Sequence, residues 1–407
     1  SCGTIKNKNM FLKKFRVHLP TVASSDNRSI VLGVWPIVST RSSRAEKIIS
    51  KFLIILCLVA PALVFVPTSL HAMTREKNLI VRLTLFGAMS FFFGNFFKYI
   101  CILFRSDAIR SCVERVERDW MGIKSANDRE IMTRNARVGH DVTVLCGAFM
   151  YTTGAFYHAV MPLWAGKTTN ELNETVRPLI YPGFDIFVDS QSSPIYETLF
   201  FVICISAFVA FNVTTASCSL AAVFVSHACG QIQIVVSRLE TLVDGDGSDD
   251  TLDDRISFVV RCHTRILRLS SDIEILLREI CLIEIFGSTF LICVNEYCFM
   301  KVWDNSDFVA VITHFAAVAS LSFNIFIFCH IGELLNEQCQ RVEKAAYMIE
   351  WHRLPGRTGL ALIMVIILSN YSRKITAGGM FELSIQTFGE IMKASVMYLN
   401  LLREVAD

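Results

Sequence analysis

Charge is scarce in this sequence. Only 19% of the 407 residues are Asp, Glu, Lys or Arg, and the formal net charge is +2. Such a balance offers little to a polyanion, so nucleic acid is not expected as a partner. There is no His-Glu-x-x-His, no phosphate-cradling glycine loop and no Gly-x-Ser-x-Gly. His140, His158, His227, His314 and His330 fall in or near different apolar runs, with nothing to bring them together. An enzyme is therefore not expected, nor a metal or cofactor. The 14 cysteines lack metal-ligand spacing. Cys57, Cys101, Cys146, Cys204, Cys218, Cys293 and Cys329 sit inside apolar runs and read as small hydrophobes with free thiols. No apolar run comes early enough for a signal peptide: the first begins near Ile48, so it reads as a span rather than a leader.

Apolar residues, by contrast, make up 53% of the chain, and Phe alone occurs 31 times. A soluble fold of this size could not hide that much apolar surface, so the expected class is an all-α membrane protein. Seven segments have the length and character of crossings: 48–66, 79–104, 136–161, 198–225, 280–300, 308–328 and 380–402. They lack the short alternation of a membrane barrel, which leaves helix as the spanning form. Apolar and small residues continue past Val225 through Ile232, Ile234 and Val236. A helix over 196–236 would be about 60 Å long and would project beyond the bilayer. Residues 253–279 repeat apolar positions at helical spacing among Arg255, Arg261, Arg265, Arg268 and Arg278. The run 359–368 is too short to cross. It reads as a helix buried in a protein core, with half of a broken span as the rival.

Lys and Arg set the orientation. Residues 1–47 carry nine, 105–137 carry eight, and 238–278 and 341–374 carry six each, so 29 of the 39 lie on one side. The alternate loops are poor in them, which puts the N-terminus in the cytoplasm and, after seven crossings, the C-terminus outside. Asn173 with Glu174 and Thr175 forms a glycosylation acceptor in an outer loop. The same pattern at Asn212 lies in a span, and at Asn27 in the inner tail. The acidic stretch 243–254 fails the calcium-loop template and reads as a solvated linker.

Two constellations carry possible chemistry. Glu382, Gln386, Glu390, Lys393 and Asn400 interrupt the last apolar segment, and ionisable groups at bilayer depth are costly unless they meet water or partners. Glu390, Met397, Leu401 and Glu404 share one helical face. That face fits a pore shared between subunits about a symmetry axis, with Leu401 as a constriction and Glu404 near its mouth. It fits equally a helix packed inside its own bundle. The second constellation is mainly aromatic and lies in the outer halves of spans two to four: Phe86, Tyr151, Phe156, Phe201 and Phe208, with Met89 beside them and Ser90 and Thr152 to orient a ligand. These would line a pocket for a small apolar molecule, although ordinary packing explains any one of them. With no acidic residue standing out there, a neutral volatile fits better than an amine.

The last eighty residues resemble the insect odorant receptor family. Phe328, Cys329, His330, Ile331 and Gly332, then Val342, Ala346, Tyr347 and Trp351, are similar to its Cys-x-x-Gly and Tyr-x-x-x-Trp pattern. Thr376, Ala377, Gly378 and Gly379 lead into the last helix as in the family, and Tyr398, Leu399, Asn400, Leu401 and Leu402 close it. Residues 32–36, with Trp35 and Pro36, match a feature before the first span. A proline common before the Thr-Ala-Gly stretch is absent, since Lys374 is followed by Ile375. The resemblance implies an odorant-gated, non-selective cation channel of inverted seven-helix topology in the plasma membrane of olfactory neurons. It implies a tetramer with an odorant co-receptor subunit, surrounded by lipid and passing monovalent and divalent cations. Leu401 would match the hydrophobic gate, with Glu404 and Val405 beside it. The chain is shorter than the co-receptor, which points to an odorant-tuned subunit.

On this reading residues 1–47 are a cytoplasmic segment and 48–236 hold spans one to four. Residues 237–279 are a linker and anchor helix, 280–328 spans five and six, 329–379 an anchor region, and 380–407 the pore helix and outer terminus. A gustatory-type channel is the alternative; it would normally show Thr-Tyr and Gln-Phe in the last helix, which residues 395–404 do not. A G-protein-coupled receptor would need the opposite orientation, and residues 163–203 hold no cysteine for its usual outer staple. A transporter would show internal repeats, and none are visible.

Overall fold

Helices account for nearly all of the regular structure. The computed structural model describes residues 44–160, 162, 168–169, 175–177, 179–244, 251–304, 308–370 and 374–406. Asn173, Asn27, the motif at 32–36 and most of the inner tail lie outside them. In chain order the helices are α1 (Arg44–Thr74), α2 (Leu79–Phe104), α3 (Ser106–Gly122) and α4 (Ala126–Ala155), which runs on into a π-helical turn (Phe156–Val160). Then come α5 (Ile195–Glu240), α6 (Leu252–Asp304), α7 (Phe308–Tyr347), α8 (Gly356–Asn370) and α9 (Ile385–Ala406). Thr168–Thr169 pairs with Thr175–Val176, and Thr376–Ala377 with Phe381–Glu382, both antiparallel.

Four of these helices are long and apolar enough to cross a membrane by length and composition: α1, α2 from Val81, α5 and α7. The other three expected crossings fall in α4, α6 and α9, where charge dilutes the apolar run: Arg137 and Asp141, Glu284 and Glu296, Glu390 and Lys393. The architecture is thus an all-α, multi-pass membrane bundle. α1 displays the logic of a lipid-facing helix. Cys57, Ala60, Val64 and Ala72 are buried on one side, while Ile48, Phe52, Ile55, Val59, Leu63 and Val66 are exposed on the other. A helix apolar all round, with a large apolar face left open, belongs against hydrocarbon.

α5 runs through the centre of the bundle and touches α1, α2, α4, α6 and α7. Its 46 residues extend about 69 Å, close to the length expected from composition. Small polar residues, Ser206, Thr214, Thr215, Ser217 and Ser219, are buried along it. Such side chains let helices approach closely, and the hydroxyls of Thr215 and Ser217 return a hydrogen bond to Phe211 O and Val213 O one turn back. α6 joins the expected helix over 253–279 and the expected span over 280–300 into one helix of 53 residues.

The long helices project beyond α2 at the basic end of the bundle and pack there with α3, the start of α4 and α8. Arg115–Asp272 and Arg105–Glu279, each at 2.8 Å, and Arg238–Asp128 at 3.1 Å tie this region together. Asp119 is buried there between His227 and Arg265. Every cysteine among the described residues is free. Burial, helped by nearby Asp272, pushes the Cys112 thiol up to about 11, as expected for a packing residue rather than a nucleophile. α8, read from sequence as a buried core helix, is buried on one side only. Leu362, Val365 and Ser369 face inward, whereas Leu360, Ile363, Met364 and Ile367 are exposed.

A hairpin joins this end to the last helix. Gly378 and Gly379 take positive φ, 64° and 74°, a conformation that side chains resist. The turn therefore forms without the missing proline. Gly378 N donates to Arg278 O at 2.9 Å and Thr376 Oγ1 donates to Glu274 Oε1 at 2.8 Å, fastening the hairpin to α6. From the other side α7 comes so close that a Cβ at Gly332 would sit 2.4 Å from Leu383 O. The Cys-x-x-Gly pattern thus has a steric cause: only glycine lets α7 lie on the hairpin backbone. Gly332→Ala should destabilise the protein by about 1–3 kcal/mol, because the obstacle is backbone rather than a movable side chain. A fall in the thermal midpoint of the detergent-solubilised protein, with less of it at the cell surface, is the expected result.

Candidate functional site

A buried ion pair lies at one depth of the bundle. Lys98 on α2 donates to Glu284 Oε2 on α6 at 2.6 Å and to Thr214 Oγ1 on α5 at 3.1 Å. The two charged side chains are only 5% and 3% exposed. Charges that deep persist only when paired and hydrogen-bonded, and these two neutralise each other within a wider set of hydrogen bonds. Glu284 Oε1 accepts from Ser288 Oγ at 2.9 Å and from Asn324 Nδ2 on α7. Thr214 Oγ1 donates to Asn95 Oδ1 at 2.8 Å, and Asn95 Nδ2 donates to Phe91 O at 2.9 Å. One cluster therefore links α2, α5, α6 and α7.

The cluster floors a small cavity of about 20 Å³, room for one or two waters. Its walls include Ser90, Phe91, Gly94, Met150, Ile283, Leu291 and Leu321. Along α2 it reaches from Ser90, about 17 Å from Leu79, to Lys98, about 29 Å from it. Above it Val64, Met89, Phe92, Ile203 and Ala210 form a dry cluster capped by Tyr181 and Phe184 from the segment before α5. That cap is latched. His158 Nδ1 donates to Gly154 O at 3.0 Å, because a carbonyl can only accept. In the neutral ring Nε2 is then an acceptor for the Tyr181 hydroxyl, also at 3.0 Å. Arg75 and Asp185 pair across the same cap.

The sequence-derived ligand residues divide by helical face. Ser90 lines the cavity, its hydroxyl bonded to Gly87 O at 2.7 Å. Met89 is in the capped cluster, and Phe86 and Phe156 are half-buried. Tyr151 donates to Asn212 Oδ1 at 2.8 Å. Phe201 and Phe208, 65% and 53% exposed, and Thr152, also exposed, are not brought to the cavity. Phe201 and Phe208 lie two turns apart on the outward face of α5, while Ile203, Ala207, Ala210 and Thr214 face in. Membrane depth alone does not encode this facing. Conversely, Lys98 and Glu284 were in plain view as charges within apolar runs, and that was the available sign.

The last helix lies on α6 and α7. Ser395 is buried with Cys293 Sγ near its carbonyl and Glu296 near its hydroxyl, and Phe388 meets Phe326 edge-on. The opposite face carries Glu390, Met397, Leu401 and Glu404, all exposed, Met397 at 63% and Leu401 at 53%. Gln386 donates to Glu390 at 2.9 Å. Val405 continues this helix, its side chain outside the described ones.

Removing one ion-pair partner should cost more than removing both. Lys98→Met leaves a lone carboxylate in the bundle and should lower stability by about 3–5 kcal/mol. Lys98→Met with Glu284→Gln should recover most of that loss. Thermal unfolding of the solubilised single and double variants measures the difference.

The family model described as 7tm Odorant receptor matches residues 79–396. Among curated proteins, Odorant receptor 10 of Aedes albopictus is 23% identical over 301 residues, 72% of this chain and 76% of that protein. Odorant receptor 13a of Drosophila melanogaster is 22% identical over 402 residues, 92% and 93% of the two chains. Among solved structures, the insect olfactory receptor OR5 from Machilis hrabei in complex with eugenol has the same fold, with a TM-score of 0.76 at 12% identity, covering 96% of this chain and 99% of that one. The match spans most of the chain, including the helices that build the cavity and the hairpin before α9. The chain belongs to the insect odorant receptor family.

Proposed function

We propose that this chain is an odorant-tuned subunit of a tetrameric, ligand-gated cation channel, formed with an odorant co-receptor subunit in the plasma membrane of the olfactory neuron dendrite. Its helices make seven crossings, α4, α6 and α9 joining the four more apolar ones, with the N-terminus inside. The observation that carries the reading is the exposed face of α9. Its carboxylates, Glu390 and Glu404, have no business against hydrocarbon, whereas around a symmetry axis they would border water with Leu401 as the constriction. Val405 would lie beside that gate. The outward apolar side of α8 and the basic-end extensions, within 237–279 and 329–379, would form the anchor between subunits. Asn173 would be glycosylated outside.

The ligand is a small, mostly apolar volatile that enters beneath the cap at 179–194 and settles from Phe86, Met89 and Phe156 down to Ser90 and the cavity. Tyr151 shapes the wall through Asn212. The cavity walls on α6 and α7 are also the helices on which α9 rests, so their displacement by a ligand would move the pore helix. Recording currents against a volatile panel, with and without a co-receptor, tests this directly. Volatile-evoked cation currents that need both chains are expected; surface-expressed pairs that never respond would defeat the reading.

The Glu404 placement has its own test. A unit charge about 8 Å from a pore axis in water is worth about 0.5 kcal/mol to a monovalent ion and twice that to a divalent one. Glu404→Gln should therefore lower divalent relative to monovalent permeability by about twofold. Reversal potentials under bi-ionic conditions measure it, and unchanged selectivity would remove Glu404 from the pore mouth.

A further inference from the structure

The hydrogen-bonding capacity at the floor of the cavity is unevenly used. The Lys98 ammonium has three N–H groups, of which Glu284 and Thr214 take two. The Asn95 amide has two, of which Phe91 O takes one. Two donors thus remain without a partner among the described residues, one of them on a charged group, and both side chains line the cavity. The acceptors are better supplied: Glu284 Oε1 already receives two donors, Glu284 Oε2 one and Asn95 Oδ1 one. An unused N–H costs more than an unused lone pair. What the site lacks is an acceptor.

Charge narrows the choice. Lys98 and Glu284 already neutralise each other, so a carboxylate ligand would leave one negative charge uncompensated at low dielectric. An amine would bring further donors to a place that already has too many. Phe91, Met150, Ile283, Leu291 and Leu321 supply a largely apolar surface for the rest of the ligand, beside the hydroxyls of Ser90 and Ser288. We infer that the spare N–H groups of Lys98 and Asn95 select neutral volatiles ending in a carbonyl oxygen, such as a ketone, ester, aldehyde or lactone on an apolar body. The carbonyl takes the position open to water in the cavity, and the flexible side chains of Met150, Leu291 and Leu321 give way to the body. This specificity rests on the ligand-gating reading above and adds the chemical class to it.

The test is a dose-response series in cells carrying this chain with a co-receptor, using 2-heptanone and the heptane, heptylamine and heptanoic acid of matched length, then the wider carbonyl set. The ketone should be more potent than the hydrocarbon by about tenfold to a hundredfold, the worth of a hydrogen bond to a charged group. In the charge-balanced variant Lys98→Met/Glu284→Gln that preference should collapse by about the same factor, with surface expression measured alongside. Asn95→Leu should reduce it by a smaller factor. Currents evoked by other volatiles with no carbonyl preference in the parent channel overturn the inference while leaving ligand gating intact, and so does a preference that survives in the double variant. Silence to every volatile, with both chains at the surface, removes the gating reading and this inference together.

Discussion

The contact on which the bundle most depends is the pair of opposite charges between Lys98 and Glu284. An apolar bundle offers helices little reason to choose one register over another, since one greasy face packs against another with similar gain. A buried ammonium and carboxylate remove that freedom. They must meet, and Asn324, Ser288, Thr214 and Asn95 must meet them in turn. A shift of one residue along α2 or α6 would strand a charge in a medium that cannot solvate it. The cost of such a mistake, rather than the net gain of the pair itself, is what holds four helices at one depth.

The cluster at that depth and the hairpin before α9 are connected by the same two helices. α6 carries Glu284 and Leu291 at the cavity, Glu274 and Arg278 under the hairpin, and Cys293 against α9. α7 carries Asn324 and Leu321 at the cavity and Gly332 beneath Leu383. The backbone contact at Gly332 leaves no slack for side-chain rearrangement to absorb. On the proposed gating reading, a movement of α7 would reach the hairpin through this contact, since tightly packed interiors transmit strain.

Much of this was legible in residue order, and the limits have physical causes. Long apolar runs announce helices wherever they occur, so α1, α2, α5 and α7 are visible from composition alone. The continuation of α5 past Val225 was visible too, as far as Val236, because small and apolar residues do not stop at Val225. Which side of α8 the chain covers was not legible, because ten apolar residues do not say which of them has a neighbour; Leu360 and Leu362 differ only in direction. The same ambiguity hid the outward facing of Phe201 and Phe208. Most elusive was the partnership of Lys98 with Glu284. Each is visible only as one charge within an apolar run, and they lie 186 positions apart, so no local pattern encodes which distant charge will neutralise a buried one.

Two exposed faces of the protein can be told apart by what solvent each would tolerate. Along α1 beyond Lys51 the open side offers Phe52, Ile55, Val59, Leu63 and Val66, none with a side-chain group to hydrogen-bond. Lipid suits it completely. Along α9 the open side alternates Glu390, Met397, Leu401 and Glu404. Lipid would charge heavily for the two carboxylates, and bulk water would gain nothing from Met397 and Leu401. Neither solvent suits this face throughout its length, whereas a narrow aqueous passage between copies suits both halves of it. In the proposed pore the carboxylates would keep their water and attract cations, and the apolar residues would meet one another across the axis in the closed state. The composition of that single stripe is thus what supports reading it as a face shared between copies of the channel.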